Sequence, residues 1–214
     1  ELIQVMAEEP KICRHLHLPL QSGSTKILQK MNRKYTKEDY LLLVDKLRAA
    51  CPDISLTTDI IVGFPNESEE QFENTLSLVD ECQFDNAFTF IYSKRTGTPA
   101  AAMENQIPEE VVKDRFDRLL AKVQEIGREM SSRDTGTIQE VLVEEQNSQD
   151  THLMTGRLSN NLLVHFPGDV SLLGQICQVR LDECRGFYYM GTNVSVNCNL
   201  KMNMSAQSTN LPTF

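Results

Sequence analysis

Arg14-His15-Leu16-His17-Leu18-Pro19-Leu20-Gln21-Ser22-Gly23-Ser24 decides the fold of the first part of the chain. Leu16, Leu18 and Leu20 alternate with His15, His17 and Pro19, the period-2 pattern of a strand. The strand runs into a polar turn, Gln21-Ser-Gly-Ser24, and a helical pattern starts at once at Thr25-Lys-Ile-Leu-Gln-Lys-Met31. Strand, polar turn and helix in succession place a ligand at the carboxyl end of a strand in α/β proteins. An ordinary βα loop with small polar residues fits the same stretch, and both readings stand at this point.

Working outward, Thr36 with Asp39 makes an imperfect capping box for a helix whose face is Tyr40, Leu43, Val44 and Leu47 and which stops before Pro52. Residues 54–62 read as a strand, with Ser55, Thr57, Asp59 and Ile61 on the face opposite Ile54, Leu56, Thr58, Ile60 and Val62. A carboxylate near the carboxyl end of a buried strand needs a partner. Asp59 is therefore either a site residue or a tie to a neighbouring loop. Gly63-Phe-Pro-Asn-Glu67 is a loop, and Ser68 with Gln71 caps a helix with the face Phe72, Leu76 and Val79. Residues 84–92 are apolar with little alternation, the pattern of a parallel strand covered on both sides. The basic loop Ser93-Lys-Arg-Thr-Gly-Thr-Pro99 follows; Lys94 and Arg95 suit a carboxylate or phosphate, or simply solvent. Pro108 opens a long helix with an apolar stripe from Val112 to Met130.

From Gly136 the pattern changes to five short alternating runs separated by turn residues, which predicts a small β-barrel of OB-like size. The expected domains are residues 1–133 and 134–192, followed by a disordered tail over 193–214 rich in Asn, Ser and Met. The first residues resemble the end of a helix, so the chain is expected to be cut from something longer. Its net charge of −9 argues against general nucleic-acid binding, although local basic clusters exist. The six cysteines form no CxxC or CxxxC pair, so no local zinc or iron–sulfur cradle is expected; they read as reduced, cytosolic thiols. No apolar run is long enough to cross a membrane.

Six ordered stretches together resemble one family: His17-Leu-Pro-Leu-Gln-Ser-Gly-Ser, Met31-Asn-Arg-Lys-Tyr, Thr58-Asp-Ile-Ile-Val-Gly-Phe-Pro, Tyr92-Ser-Lys-Arg-Thr-Gly-Thr-Pro-Ala-Ala, Val141-Leu-Val-Glu and Gly156-Arg-Leu-Ser-Asn-Asn-Leu-Leu-Val-His-Phe. Over about residues 1–192 the chain resembles the carboxyl-terminal part of the MiaB-type tRNA methylthiotransferases, which are radical S-adenosylmethionine (SAM) enzymes. The resemblance implies an α/β region made of the later βα units of a radical SAM, partial TIM-like barrel. A small all-β TRAM barrel would follow. It implies methylthiolation at C2 of adenosine 37 in tRNA, with SAM and two 4Fe-4S clusters as cofactors. The tRNA anticodon stem-loop would be the partner of a cytoplasmic monomer.

Carried over by residue, the resemblance puts Gln21, Ser22 and Gly23 beside the ribose and amino-acid part of the cofactor. Asp59, Ile61, Val62 and Gly63 would pass its adenine and ribose, and Phe90, Tyr92 and Arg95 would complete the wall. Arg95 would pair a carboxylate or approach tRNA. In the β-barrel, Arg157, Asn160, Asn161 and Arg185 are the expected RNA contacts; turn chemistry is the other reading, above all for Asn160-Asn161. The chain departs from the family where Asn66 and Glu145 replace usual glycines; Asn66 is expected to take the left-handed conformation. The family's cluster-binding cysteines have no counterpart here, so the catalytic residues stay unassigned and this chain alone is expected to be inactive. Acidic residues outnumber basic ones in 134–192, unusual for an RNA module. The alternatives are a non-catalytic RNA-binding protein that kept the scaffold, and a ribosomal-protein methylthiotransferase.

Overall fold

The computed structural model describes residues 1–194 and divides into two compact units after Met130. The first contains α1 (Leu2–Glu8), β1 (His15–His17), α2 (Thr25–Lys30), α3 (Lys37–Ala50), β2 (Ser55–Val62), α4 (Glu69–Cys82), β3 (Asn86–Ile91) and most of α5 (Glu109–Ser132). Its three strands form a parallel sheet in the order β1-β2-β3, as βαβ connections require. Leu56, Thr58, Ile60 and Val62 of β2 are buried with Phe72, Leu76 and Val79 of α4 and Leu119, Val123 and Ile126 of α5. Ser55, Thr57, Asp59 and Ile61 lie on the other face, as the alternation predicts.

Three sequence expectations are adjusted. The opening strand runs in register only over His15–His17, because Pro19 has no N–H for the ladder. Side chains take over the pairing there. Thr58 Oγ1 donates to Leu18 O at 2.7 Å and accepts from Leu20 N at 2.8 Å, and Tyr40 Oη donates to Leu18 O at 2.7 Å. Backbone pairing resumes at Gln21, whose N–H reaches Asp59 O at 2.7 Å. Second, β3 is a sheet edge and not a strand covered on both sides; Phe88, Phe90 and Ile91 are each 50% exposed. Third, Leu43 is exposed, while Tyr40, Val44 and Leu47 carry the buried face of α3. The capping box expected as imperfect is complete: Thr36 and Asp39 satisfy each other's backbone N–H groups. Asn66 adopts φ +63, the conformation expected of a glycine substitute.

The second unit is a closed five-stranded barrel, β4 (Ile138–Gln146), β5 (Leu153–Leu158), β6 (Leu163–Pro167), β7 (Ile176–Cys184) and β8 (Tyr188–Asn193), in the order β4-β5-β6-β8-β7. The β6–β8 pair is parallel and the others are antiparallel. Val141, Val143, Met154, Val164, Phe166 and Tyr189 are among the residues filling its interior, an architecture consistent with an OB-like TRAM barrel. Gly156 lets β4 and β5 close: a Cβ there would lie 2.3 Å from Val141 Cγ1 and 2.8 Å from Leu142 O. The barrel runs past residue 192, since Asn193 ends β8 and Val194 donates its amide to Gln178 O at 2.9 Å. Residues 195–214, nearly all of the tail expected from 193, lie outside the described residues.

Candidate functional site

The carboxyl ends of β1, β2 and β3 surround a cavity of about 570 Å³ in the first unit. Gln21, Asp59, Ile61, Phe90, Tyr92 and Arg95, drawn from three separate stretches, all line it. Parallel strands with their carboxyl ends together make this convergence possible, since each strand delivers the residue just at or beyond its end. Gln21 sits at φ +70, a left-handed position at the end of the interrupted strand.

Among the described residues, Asp59 makes its ion pair within the sheet. Its Oδ2 lies 3.4 Å from His17 Nε2 on the neighbouring strand, and His17 Nδ1 is 3.0 Å from Thr57 Oγ1. His15 Nε2 also reaches Thr57 Oγ1, at 3.2 Å, and desolvation holds the His15 imidazole below its ordinary pKa. Sequence reading missed His17 as the partner of Asp59. The signal was present in the alternation, which puts His15 and His17 on one face, but the β1–β2 register was needed to set that face beside Thr57 and Asp59.

The apolar wall includes Phe64, also missed; its ring meets the Tyr92 ring edge-on at 5.2 Å between centroids. The Tyr92 hydroxyl is buried and has no hydrogen-bond partner among the described residues. Phe64 stands on a turn held from beneath. The Glu67 carboxylate, 1% exposed, accepts from Gly63 N and from Arg115 Nη1, each at 3.0 Å. Desolvation raises the Glu67 pKa against the opposing pull of Gly63 and Arg115. Arg33 and Met31 of the basic connector also reach the cavity, although nothing in their local pattern sets them apart from a solvated loop.

Ser22, Gly23 and Gly63 do not line the cavity. Ser22 is fully buried and its Oγ accepts from Ser24 N at 3.2 Å. Gly23 lies against α4, where a Cβ would meet Thr75 Cα at 2.5 Å and Asn74 O at 2.6 Å. Gly63 takes φ +75 against Val112. All three shape the backbone behind the wall, and Val62 points into the core.

In the barrel, the residues expected to contact RNA have partners of their own. Arg157 Nε meets the Glu144 carboxylate at 3.0 and 3.1 Å, and its Nη1 reaches Asn161 Oδ1 at 3.0 Å. Asn160 donates to Asp134 Oδ2 at 3.3 Å and accepts from Leu162 N at 3.1 Å, while Asn161 sits at φ +72. Arg185 Nη2 meets Glu183 Oε2 at 2.9 Å. This is the turn chemistry that stood as the other reading of Asn160-Asn161. Among the described residues no group of three His, Cys, Asp or Glu is placed to hold a metal ion, and no helix is long and apolar enough to cross a membrane.

Comparison with known proteins agrees with this architecture. The radical SAM superfamily model matches residues 1–79, and the TRAM domain model matches residues 132–194. A protein of Lachnoclostridium phytofermentans named tRNA-2-methylthio-N(6)-dimethylallyladenosine synthase is 63% identical over 191 residues, covering 89% of this chain and 42% of that protein. Proteins of the same name from Acetivibrio thermocellus and Alkaliphilus oremlandii are 51% and 53% identical, covering 91% and 89% of this chain and 40% of each relative. The chain thus spans about two fifths of the length of these curated relatives. The radical SAM and TRAM matches fall in the order of the two units and these relatives align across both, so the chain is similar to part of the MiaB-type tRNA methylthiotransferases.

Proposed function

We propose that the protein containing this chain is a tRNA 2-methylthio-N6-isopentenyladenosine synthase, which places a methylthio group at C2 of adenosine 37. The observation that carries this reading is the single cavity in which Gln21, Asp59, Ile61, Phe90, Tyr92 and Arg95 meet. Gln21, Asp59, Ile61, Phe90 and Tyr92 fit SAM, while the exposed Arg95 stands outside that donor set. Ile61, Phe64 and Phe90 offer apolar surface to an adenine ring, Gln21 and Asp59 offer acceptors to ribose hydroxyls, and the Asp59 carboxylate suits a sulfonium cation. The buried Tyr92 hydroxyl, without a partner among the described residues, is a donor that a seated ligand would satisfy. When bound, SAM supplies the radical and the methyl group of the family's reaction. The chain's own residues bind and orient the ligand and keep water from it. Ser22, Gly23 and Gly63 contribute by holding the wall in place.

The described residues do not fit an iron–sulfur cluster, so the ligands of both 4Fe-4S clusters of the proposed enzyme lie outside them. The partner is the anticodon stem-loop of tRNA, met by a cytoplasmic monomer. For Arg157, Asn160, Asn161 and Arg185 to touch RNA they must exchange their present partners. That exchange is inexpensive, since exposed ion pairs such as Arg157–Glu144 contribute about 0–1 kcal/mol.

The test is to express the complete reading frame that contains this chain in a strain lacking the activity and to analyse its tRNA nucleosides. Appearance of the 2-methylthio nucleoside, dependent on three cysteines at radical-enzyme spacing elsewhere in the frame, supports the reading. A frame without those cysteines, or a methylthiolated ribosomal protein beside unmodified tRNA, overturns it.

A further inference from the structure

The chain contains eleven arginines. Among the described residues, all but two have an acceptor for the guanidinium. Arg14 bonds Met6 O, Arg48 bonds Cys82 and Gln83 carbonyls, and Arg128 bonds Gln124 O. Arg115 and Arg118 meet glutamates, Arg133 faces Asp134, and Arg157, Arg180 and Arg185 each pair with a nearby carboxylate. The two without a hydrogen bond or ion pair are Arg33 and Arg95. They come from loops about sixty residues apart, and both line the same cavity.

In a chain of net charge −9 an arginine has no shortage of carboxylates to find, so two unsatisfied ones at one cavity mark a place kept for an external anion. The cavity's own carboxylate, Asp59, is at ion-pair distance from His17 and from neither arginine. Its polarity is therefore divided, with an acidic group on the strand face and guanidinium groups on the loops. Both arginines are exposed, whereas Gln21 is buried. An anion that meets them approaches from solvent at the rim. This favours a group on a large polyanion over the carboxylate of a small ligand seated inside.

We infer that Arg33 and Arg95 bind a phosphodiester group of an RNA strand at the rim of this cavity, and so hold the strand while one of its bases enters. The inference rests on the tRNA reading above and extends it, because it moves a principal phosphate contact from the acidic barrel to the α/β unit. The Met31-Asn-Arg-Lys-Tyr35 connector, otherwise a link between α2 and α3, becomes part of substrate binding.

The experiment measures binding of a hairpin RNA with an adenosine-containing loop to the full protein as a function of salt. It compares wild type, Arg33→Gln, Arg95→Gln, the double variant and Arg128→Gln. S-adenosylhomocysteine affinity is measured in parallel. Each single variant is expected to weaken RNA binding several-fold and to reduce the slope of log K against log salt by about 0.7, and the double variant by about 1.4. Arg128→Gln leaves the slope unchanged, and S-adenosylhomocysteine binds all variants as it binds wild type. An unchanged slope in the double variant overturns the inference while leaving the tRNA reading intact. Loss of S-adenosylhomocysteine affinity with an unchanged slope also overturns it, and assigns the arginines to the carboxylate of the cofactor. Absence of RNA binding by wild type removes the tRNA reading and this inference together.

Discussion

The α/β unit and the β-barrel handle polar groups in opposite ways. In the barrel every strand is paired on both sides, and its arginines are tied to Glu144, Asp182 and Glu183. In the α/β unit the sheet ends at β3, and among the described residues the Tyr92 hydroxyl lacks a partner and Arg33 and Arg95 meet no acceptor. The difference teaches that residue type alone is a poor guide to a binding site. Arg157 and Arg95 are the same side chain in polar loops or strand ends, but Arg157 must give up Glu144 to meet a ligand and Arg95 has no such partner among the described residues.

The sharpest way to break this comparison is to remove the support beneath the cavity. Arg115→Met leaves the 1%-exposed Glu67 carboxylate with only Gly63 N as a partner. Urea unfolding should then show the α/β unit losing about 3–5 kcal/mol while the barrel transition stays in place. If both transitions shift together, the units do not unfold independently and the contrast fails.

The barrel has a corresponding weak point in backbone spacing, not charge. Gly156→Ala forces a methyl against Leu142 O and Val141, so thermal melting should report a barrel destabilised by about 1–3 kcal/mol. An unchanged melt would show that β4 and β5 can separate without cost.

Tyr92→Phe tests the unsatisfied hydroxyl directly. Deleting a buried donor that has no partner among the described residues should leave the ligand-free protein at least as stable, while S-adenosylhomocysteine affinity, measured by calorimetry, falls by about 1 kcal/mol. A loss of stability with unchanged affinity would make the hydroxyl structural.

The smallest expected effect is in pH. Burial holds the His165 imidazole below its ordinary value of 6.5, opposed by Glu145. The unfolded chain therefore takes up the proton first as pH falls. Stability is full above about pH 6.5 and declines below it until the lowered folded value is passed. His165→Gln should flatten that part of the barrel's stability profile, measured by urea unfolding between about pH 7.5 and pH 5.5. A profile identical to wild type would show that the His165 contacts to Thr155 and Asn147 do not discriminate between its protonation states.

Part of the candidate site was legible from period and turn chemistry, and the family resemblance supplied Gln21, Phe90 and Tyr92. Alternation put Asp59 and Ile61 on one face of β2, and the polar loops after Leu20 and Tyr92 marked the carboxyl ends where ligands sit. His17, Phe64, Glu67 and Arg33 were not legible. Each looks ordinary within its own stretch and gains a role only from a residue far along the chain: Asp59, Tyr92, Arg115 and Arg95 respectively. The covered strand expected over 84–92 failed for a related reason, since an apolar run reads the same whether helices or an open cavity lie against it.

Sequence by itself determined the two-part organisation, the βα order, the five barrel strands, the helix caps at Thr36 and Ser68, and the left-handed Asn66. These depend on interactions within a few residues, which local pattern encodes. Tertiary structure alone decided that Pro19 cuts β1 short, that Ser22, Gly23 and Gly63 serve behind the cavity wall, and that Arg157 is occupied while Arg33 and Arg95 are not. Availability depends on which donors and acceptors meet across the fold, and that pairing is set by strand register and loop placement, which no single stretch of sequence contains.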